Sequence, residues 1–150
     1  TQSRSSAASD VYKRQIAAVG APIQGLRNTS QWAADLDNPA NRKFVEDFKK
    51  AYNRSPTLYA SQGYDAAMLL DSAVRQTGGK LEADALRPAL RRADFKSVRG
   101  DFKFNRNQYP VQNYYLRVVE AGADGKLANK LSGTVLTQYQ DPFAAACQMK

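Results

Sequence analysis

The apolar positions in the middle of the chain recur with a helical period. Asn38 and Pro39 are a typical N-cap and first helical residue, and the segment 38–56 that they open ends at Ser55-Pro56. The spacing of three to four residues predicts one amphipathic helix whose stripe packs on a sheet. The stripe consists of Phe44, Val45, Phe48 and Tyr52.

Two more helices are predicted after this one. Thr57 can cap a helix that runs to the sequence TGGK. A third helix, over about 82–93, has Glu82 and Asp84 at its start, where acidic side chains are favourable. The apolar positions of the second helix are Tyr59, Gly63, Ala66, Ala67, Leu70 and Val74, and the third turns Leu86, Ala89 and Leu90 inward.

Strand patterns flank the three helices. The apolar run IAAVGAPI (16–23) predicts a buried strand, and QGLRNTSQWAADLDNPAN (24–41) predicts a long loop. After FKSVRG the sequence becomes alternating and β-branched, in DFKF and VQNYYLRVVE, and GADG followed by KLANKLSGTVL predicts a hairpin return. A short helix is expected in DPFAAACQMK. The fold class is therefore α/β.

The polar N-terminal segment differs from the rest. Residues 1–15, TQSRSSAASDVYKRQ, have no apolar period, so we expect a disordered tail. The segment also looks like a non-native linker, and the folded unit is expected to be 16–150.

Composition narrows the chemistry. The chain has no His and one Cys, Cys147, so a Ser-His-Asp or Cys-His nucleophile, a His ligand set and an intrachain disulfide cannot be built from it. We therefore expect neither an enzyme nor a cofactor or metal. The net charge of +8 is compatible with nucleic-acid binding, but the basic residues are scattered along the chain and are expected mostly on solvated faces.

The start of the second helix is the most unusual local sequence. YASQGYDAAMLL (59–70) places aromatic, amide and glycine residues where a packing helix would carry a polar cap and an apolar repeat. Tyr59 could cover the apolar part of a ligand, and Gln62 could donate or accept a hydrogen bond. Gly63 would allow the backbone to approach the ligand closely. Tyr64 and, in the long loop, Trp32 are further candidates, although aromatic residues at such positions commonly belong to the core.

The sequence resembles a known family. The run LDNPANRKFVEDFKKAYNRSPTLYASQGYDAAMLLDSAV, a later F-x-S-V-R-G-x-F-x-F-N and a terminal C-x-M resemble the C-terminal part of ABC-transporter substrate-binding proteins of the Leu/Ile/Val-binding, type I periplasmic, family. The resemblance implies the later segments of two α/β lobes that close on a solute. It also implies a small amphipathic acid as solute, either a branched-chain amino acid or an aromatic carboxylate, a membrane permease as partner, and a periplasmic location.

Two alternatives remain open. A basic α/β nucleic-acid-binding module would use the charge and the eight Tyr residues, although no recognised nucleic-acid motif is present. A ligand-sensing domain of the same fold would couple closure to a regulator instead of a permease.

Overall fold

The computed structural model describes residue 16 and residues 19–122 and 124–148. The elements that lie wholly within these residues include three α-helices and four β-strands, in the order β1, α1, α2, α3, β2, β3, β4. The helices are α1 (Pro39–Tyr52), α2 (Leu58–Gln76) and α3 (Ala83–Arg92). The strands are β1 (Arg27–Ser30), β2 (Lys103–Phe104), β3 (Pro110–Ala121) and β4 (Leu127–Tyr139).

The helix boundaries follow from local capping chemistry. The Asn38 side chain accepts a hydrogen bond from the Asn41 amide at 2.8 Å, and Pro39 occupies the first turn of α1. Thr57 caps α2 in the same way by accepting from the Ala60 amide at 3.3 Å. The three predicted helices are thus confirmed, with α3 beginning one residue after Glu82.

Strand β3 organises the sheet, because each of the other three strands pairs with it in antiparallel fashion. β1 pairs over 115–118 and β2 over 110–111, while the long β3–β4 hairpin extends from Gln112 opposite Tyr139 to Ala121 opposite Leu127. The two alternating segments and the hairpin return predicted from the sequence are confirmed. The last predicted helix is observed as a short 3-10 turn, Ala144–Ala146.

The strand predicted over 16–23 is wrong. Ile16 and Val19 are helical and Ala21–Ile23 form a 3-10 turn, and the Gly20 amide donates back to the Ile16 carbonyl at 3.2 Å. Gly20 with a φ of 70° and Pro22 favour this local turn over an extended ladder. The first strand lies instead at β1, inside the predicted loop, where pairing with distant β3 supplies the backbone partners.

The core lies where the Trp32 loop, α1, α2 and the sheet meet. Its buried members are Trp32, Ala33, Leu36, Phe44, Leu58, Val98 and Tyr115. Phe44 is thus the inward residue of the α1 stripe, whereas Tyr52 at the end of the same stripe is 62% exposed. Phe44 contacts the rings of Trp32 and Tyr64, with centroids 6.3 and 4.8 Å apart, in a cluster that also includes Tyr115 of β3.

No helix among the described residues is both long and apolar enough to pass through a membrane. The tail predicted for residues 1–15 lies outside the described residues.

Candidate functional site

The first turns of α2 form a mixed polar and apolar surface. Tyr59 is 54% exposed, Gln62 is half-buried and Gly63 is exposed. Residues three and four positions apart are neighbours on a helix, so these side chains share one face. A Cβ added at Gly63 would meet no atom within 4 Å, which leaves the backbone open to close approach.

This face continues along the helix as an apolar stripe. Ala66, Ala67 and Leu70 follow at helical spacing and are exposed, Leu70 to 55%. Small residues followed by a leucine make a surface against which a flat partner can pack closely. Tyr59 and Gln62 therefore lie at the N-terminal end of an apolar helix face that the described residues leave exposed.

Tyr64 lies on a different side of α2. Its ring packs on Phe44 with centroids 4.8 Å apart, and it contacts the buried core cluster. Trp32 lies in that cluster, 2% exposed, with its Nε1 donating to Asn41 Oδ1 at 2.8 Å. The four predicted site residues thus divide into a surface pair, Tyr59 and Gln62, and an inner pair, Tyr64 and Trp32.

A buried ion pair holds α2 in this orientation. Asp65 accepts from Ser97 Oγ at 2.6 Å, from the Val98 amide at 2.9 Å and from Arg99 Nε at 2.9 Å. The side chains of Asp65 and Arg99 are 2% and 12% exposed. A carboxylate that accepts three hydrogen bonds, one from a cation, is fully compensated for its loss of water.

The arginine of this pair links α2 to the sheet. Arg99 Nη1 donates to Gln112 Oε1 at 3.0 Å, and the guanidinium lies 4.8 Å from the centre of the Phe102 ring. Tyr115 donates its hydroxyl to the Arg99 carbonyl at 2.8 Å. The S-V-R-G motif is therefore structural, and sequence reasoning missed it because its partner lies 34 residues away.

A second arginine is buried without such a carboxylate. Arg117 on β3 is 2% exposed, and its Nε and Nη2 donate to Asn28 Oδ1 at 2.9 and 2.5 Å. Its Nη1 donates to the Trp32 carbonyl at 3.2 Å. Burial lowers the pKa of Arg117 to about 10, while the charge of Asp35 acts in the opposite direction. The guanidinium therefore stays charged at neutral pH.

The expectation of solvated basic residues is wrong for Arg117, and Arg99 is also largely buried. A signal for Arg117 was present in the sequence. Side chains alternate in a strand, and Arg117 shares its face with Tyr115 and Val119, both buried.

Arg117 also lines a cavity of about 360 Å³. The cavity lies between α1, the residues that precede α2, and the start of β4, and Trp32 forms part of its wall. A second cavity, of about 550 Å³, lies between the start of α1 and the Phe95–Phe102 segment, and its described lining includes none of the four predicted site residues. Within the described residues, no group of three or more His, Cys, Asp or Glu could hold a metal ion.

The sequence matches the family described as periplasmic binding protein over residues 2–126. A Leu/Ile/Val-binding protein homolog 6 from Brucella suis is 33% identical over 118 residues, which is 77% of this chain and 30% of that protein. The chain thus spans about a third of the length of this relative.

Solved structures give the same picture. A solute-binding protein of an ABC transporter from R. palustris, in complex with benzoate, has a TM-score of 0.77 and 36% identity, covering 89% of this chain and 36% of that one. A solute-binding protein from Rhodopseudomonas palustris BisB5, in complex with 3,4-dihydroxy benzoic acid, has a TM-score of 0.74 and 31% identity, covering 82% and 34%. The described elements thus match about a third of the length of these longer solute-binding proteins.

Proposed function

The chain belongs to the periplasmic binding protein family, and on that premise we propose that it is part of the solute-binding component of an ABC transporter. Capture occurs by closure of a cleft on the solute, followed by delivery to a membrane permease, and no covalent chemistry is involved. The observation that carries the proposal is the similarity to the benzoate-bound protein, which extends over 89% of this chain.

The solute is a small amphipathic acid, and aromatic carboxylates are favoured over branched-chain amino acids. Two similar structures above 30% identity hold benzoate and 3,4-dihydroxy benzoic acid. The 33% identical Brucella suis relative has Leu/Ile/Val-binding in its name, and no bound ligand is described for it. The leucine-, isoleucine-, valine-, threonine- and alanine-binding protein from Brucella ovis is 21% identical to this chain, and an identity this low supports the fold alone.

Within this chain, Tyr59 and Gln62 are proposed to contact the solute. Both lie on the exposed side of the first turns of α2, and the Asp65 ion pair fixes the rotation of that helix. An aromatic ring and an amide suit an apolar ring bearing a polar group. Tyr64 and Trp32 form the packed layer beneath, with Tyr64 positioned by Phe44.

Replacing Tyr59 by alanine in the full-length protein tests this assignment. If the ring covers the solute, Tyr59→Ala should weaken benzoate binding, measured by calorimetry, by roughly 1–3 kcal/mol. Tyr59→Phe should cost less if the ring alone matters. Tyr52→Ala is a matched control, since Tyr52 is also a surface tyrosine, 62% exposed, but on α1.

The assignment is abandoned if Tyr59→Ala lowers the melting temperature while the folded protein binds benzoate with unchanged affinity. Binding should be compared for benzoate and leucine, because a preference for leucine would reverse the choice of solute class. The nucleic-acid alternative makes a separate prediction, namely DNA binding that weakens steeply with added salt. Weak DNA binding that does not change with salt would exclude the nucleic-acid alternative.

A further inference from the structure

Arg117 is a buried cation whose hydrogen bonds go to uncharged acceptors. Three of its N–H groups donate to neutral oxygens, those of the Asn28 amide and the Trp32 carbonyl. Among the described residues no carboxylate oxygen lies within 4.0 Å of the guanidinium, in contrast to Arg99. A charge removed from water in this way is costly unless an anion compensates it.

The cavity beside Arg117 has an excess of positive charge. Lys49 from α1 and Lys130 from β4 line it together with Arg117, and among the described lining residues one carboxylate, that of Asp35, opposes them. Asp35 is exposed and accepts from the Leu131 amide at 3.1 Å. Thr57, the N-cap of α2, lies on the same wall, so the partial positive charge of that helix end adds to the field.

Part of the cavity wall is apolar, beside the polar residues Ser55 and Asn129. Trp32, Val45 and Pro56 contribute ring and aliphatic surface. A volume of about 360 Å³ is within the usual range for small-molecule sites and admits a compact ligand with a planar apolar body. The combination of a guanidinium fork and flat apolar walls fits a carboxylate better than a hydrated cation.

We infer that the cavity bounded by Trp32, Lys49 and Arg117 binds a carboxylate, and that it is a site separate from the Tyr59 surface. The carboxylate can come from a free small acid or from an Asp or Glu side chain of the protein outside this chain. Both sources present the same planar anion to the N–H groups of Arg117 that are not already engaged.

The single tryptophan of the chain provides the measurement, because Trp32 lines the cavity and its carbonyl accepts from Arg117. Sodium benzoate is titrated into the 150-residue chain at constant ionic strength, with chloride as the exchanged anion, and Trp32 emission is recorded. The expected result is a saturable change with benzoate. A linear or absent response overturns the inference.

Two matched pairs of variants make the test specific. Lys49→Gln should weaken benzoate binding by about three- to tenfold, and Lys50→Gln, next to it but outside the cavity lining, should leave it within about twofold. Asp35→Asn should strengthen binding, while Asp37→Asn, at a surface pair with Arg42, should not. Equal effects within either pair overturn the inference.

Arg117→Met should abolish the saturable response, and circular dichroism reports whether that variant folds. If Arg117→Met does not fold, the inference is tested by the two pairs of variants at Lys49 and Lys50 and at Asp35 and Asp37. Tyr59→Ala should leave the Trp32 titration unchanged, so failure of this site and failure of the proposed solute contact are distinguishable.

The full-length protein, with any other tryptophan replaced by phenylalanine, separates the two sources. A Lys49-dependent Trp32 response to benzoate there identifies a free small acid as the occupant. If the response is present in the 150-residue chain but lost in the full-length protein, a carboxylate side chain from the rest of the protein fills the cavity.

Discussion

Arg99 and Arg117 have opposite surroundings. Arg99 meets the Asp65 carboxylate at 2.9 Å and lies against the Phe102 ring, in a network that joins α2 to the sheet. Among the described residues, the hydrogen bonds of Arg117 go to amide and carbonyl oxygens, and Arg117 lines a cavity. A buried charge that is fully paired serves packing, whereas one without a hydrogen-bonded carboxylate beside open space indicates a place for an anion.

The largest effect is expected from breaking the paired arginine. Asp65→Ala removes the carboxylate and leaves Arg99, Ser97 and the Val98 amide without their acceptor. Removal of one partner of a buried pair costs about 3–5 kcal/mol of stability. The measurement is the free energy of unfolding from urea denaturation, followed by circular dichroism.

Asp71→Ala is the matched control, because Asp71 lies on the same helix and pairs with Arg75 at the surface, where its side chain is 52% exposed. Such pairs contribute less than about 1 kcal/mol. Similar losses for both variants would show that the Asp65 network is not what fixes α2.

Much of the fold could be predicted because it is local. Caps at Asn38 and Thr57 and the 3.6-residue period define α1 and α2, and alternation defines β3. The polar strand β1 could not be found in this way, since RNTS carries no period and its partners lie about ninety residues later. Its existence depends on the β3 edge.

The same distinction applies to the site. Tyr59 and Gln62 were accessible to sequence reasoning because their composition is unusual for a helix start. The pairing of Asp65 with Arg99 and the burial of Arg117 depend on contacts between distant segments, which a single sequence does not encode locally. Only the period of β3 pointed to Arg117.

A smaller effect is expected from giving Arg117 a carboxylate within hydrogen-bond distance. Asn28→Asp places a carboxylate where Asn28 Oδ1 already accepts from Nε and Nη2. Both N–H groups then donate to a charged oxygen, so the variant should gain roughly 1 kcal/mol of stability while losing the Trp32 response to benzoate. The hydrogen bond from Asn28 to Asn129, at 2.7 Å, is lost and limits the gain.

Asn113→Asp is the control for this change. Asn113 is a half-buried residue of β3 that accepts from the Gln138 amide at 2.8 Å and does not contact Arg117. If Asn28→Asp and Asn113→Asp reduce benzoate binding equally, the effect reflects net charge and the comparison between the two arginines fails.

Stability should also depend on alkaline pH. Burial lowers the pKa of Arg117 to about 10 in the folded chain, below its ordinary value in the unfolded chain. Between these values the unfolded chain keeps a proton that the folded chain has lost, so the free energy of unfolding rises with pH. The cost of burying the charge is therefore fully present below the folded pKa and is relieved above it.

The comparison with Arg117→Met isolates this contribution, because Lys and Tyr titrations common to both proteins cancel. The difference in free energy of unfolding, wild type minus variant, should increase between about pH 9 and about pH 11, at no more than roughly 1.4 kcal/mol per pH unit. Asn28→Asp should abolish the increase, since a carboxylate beside the guanidinium holds its proton. If the difference in free energy of unfolding between wild type and Arg117→Met does not change with pH, the charge of Arg117 is compensated as well as that of Arg99. The contrast between the two arginines would then disappear.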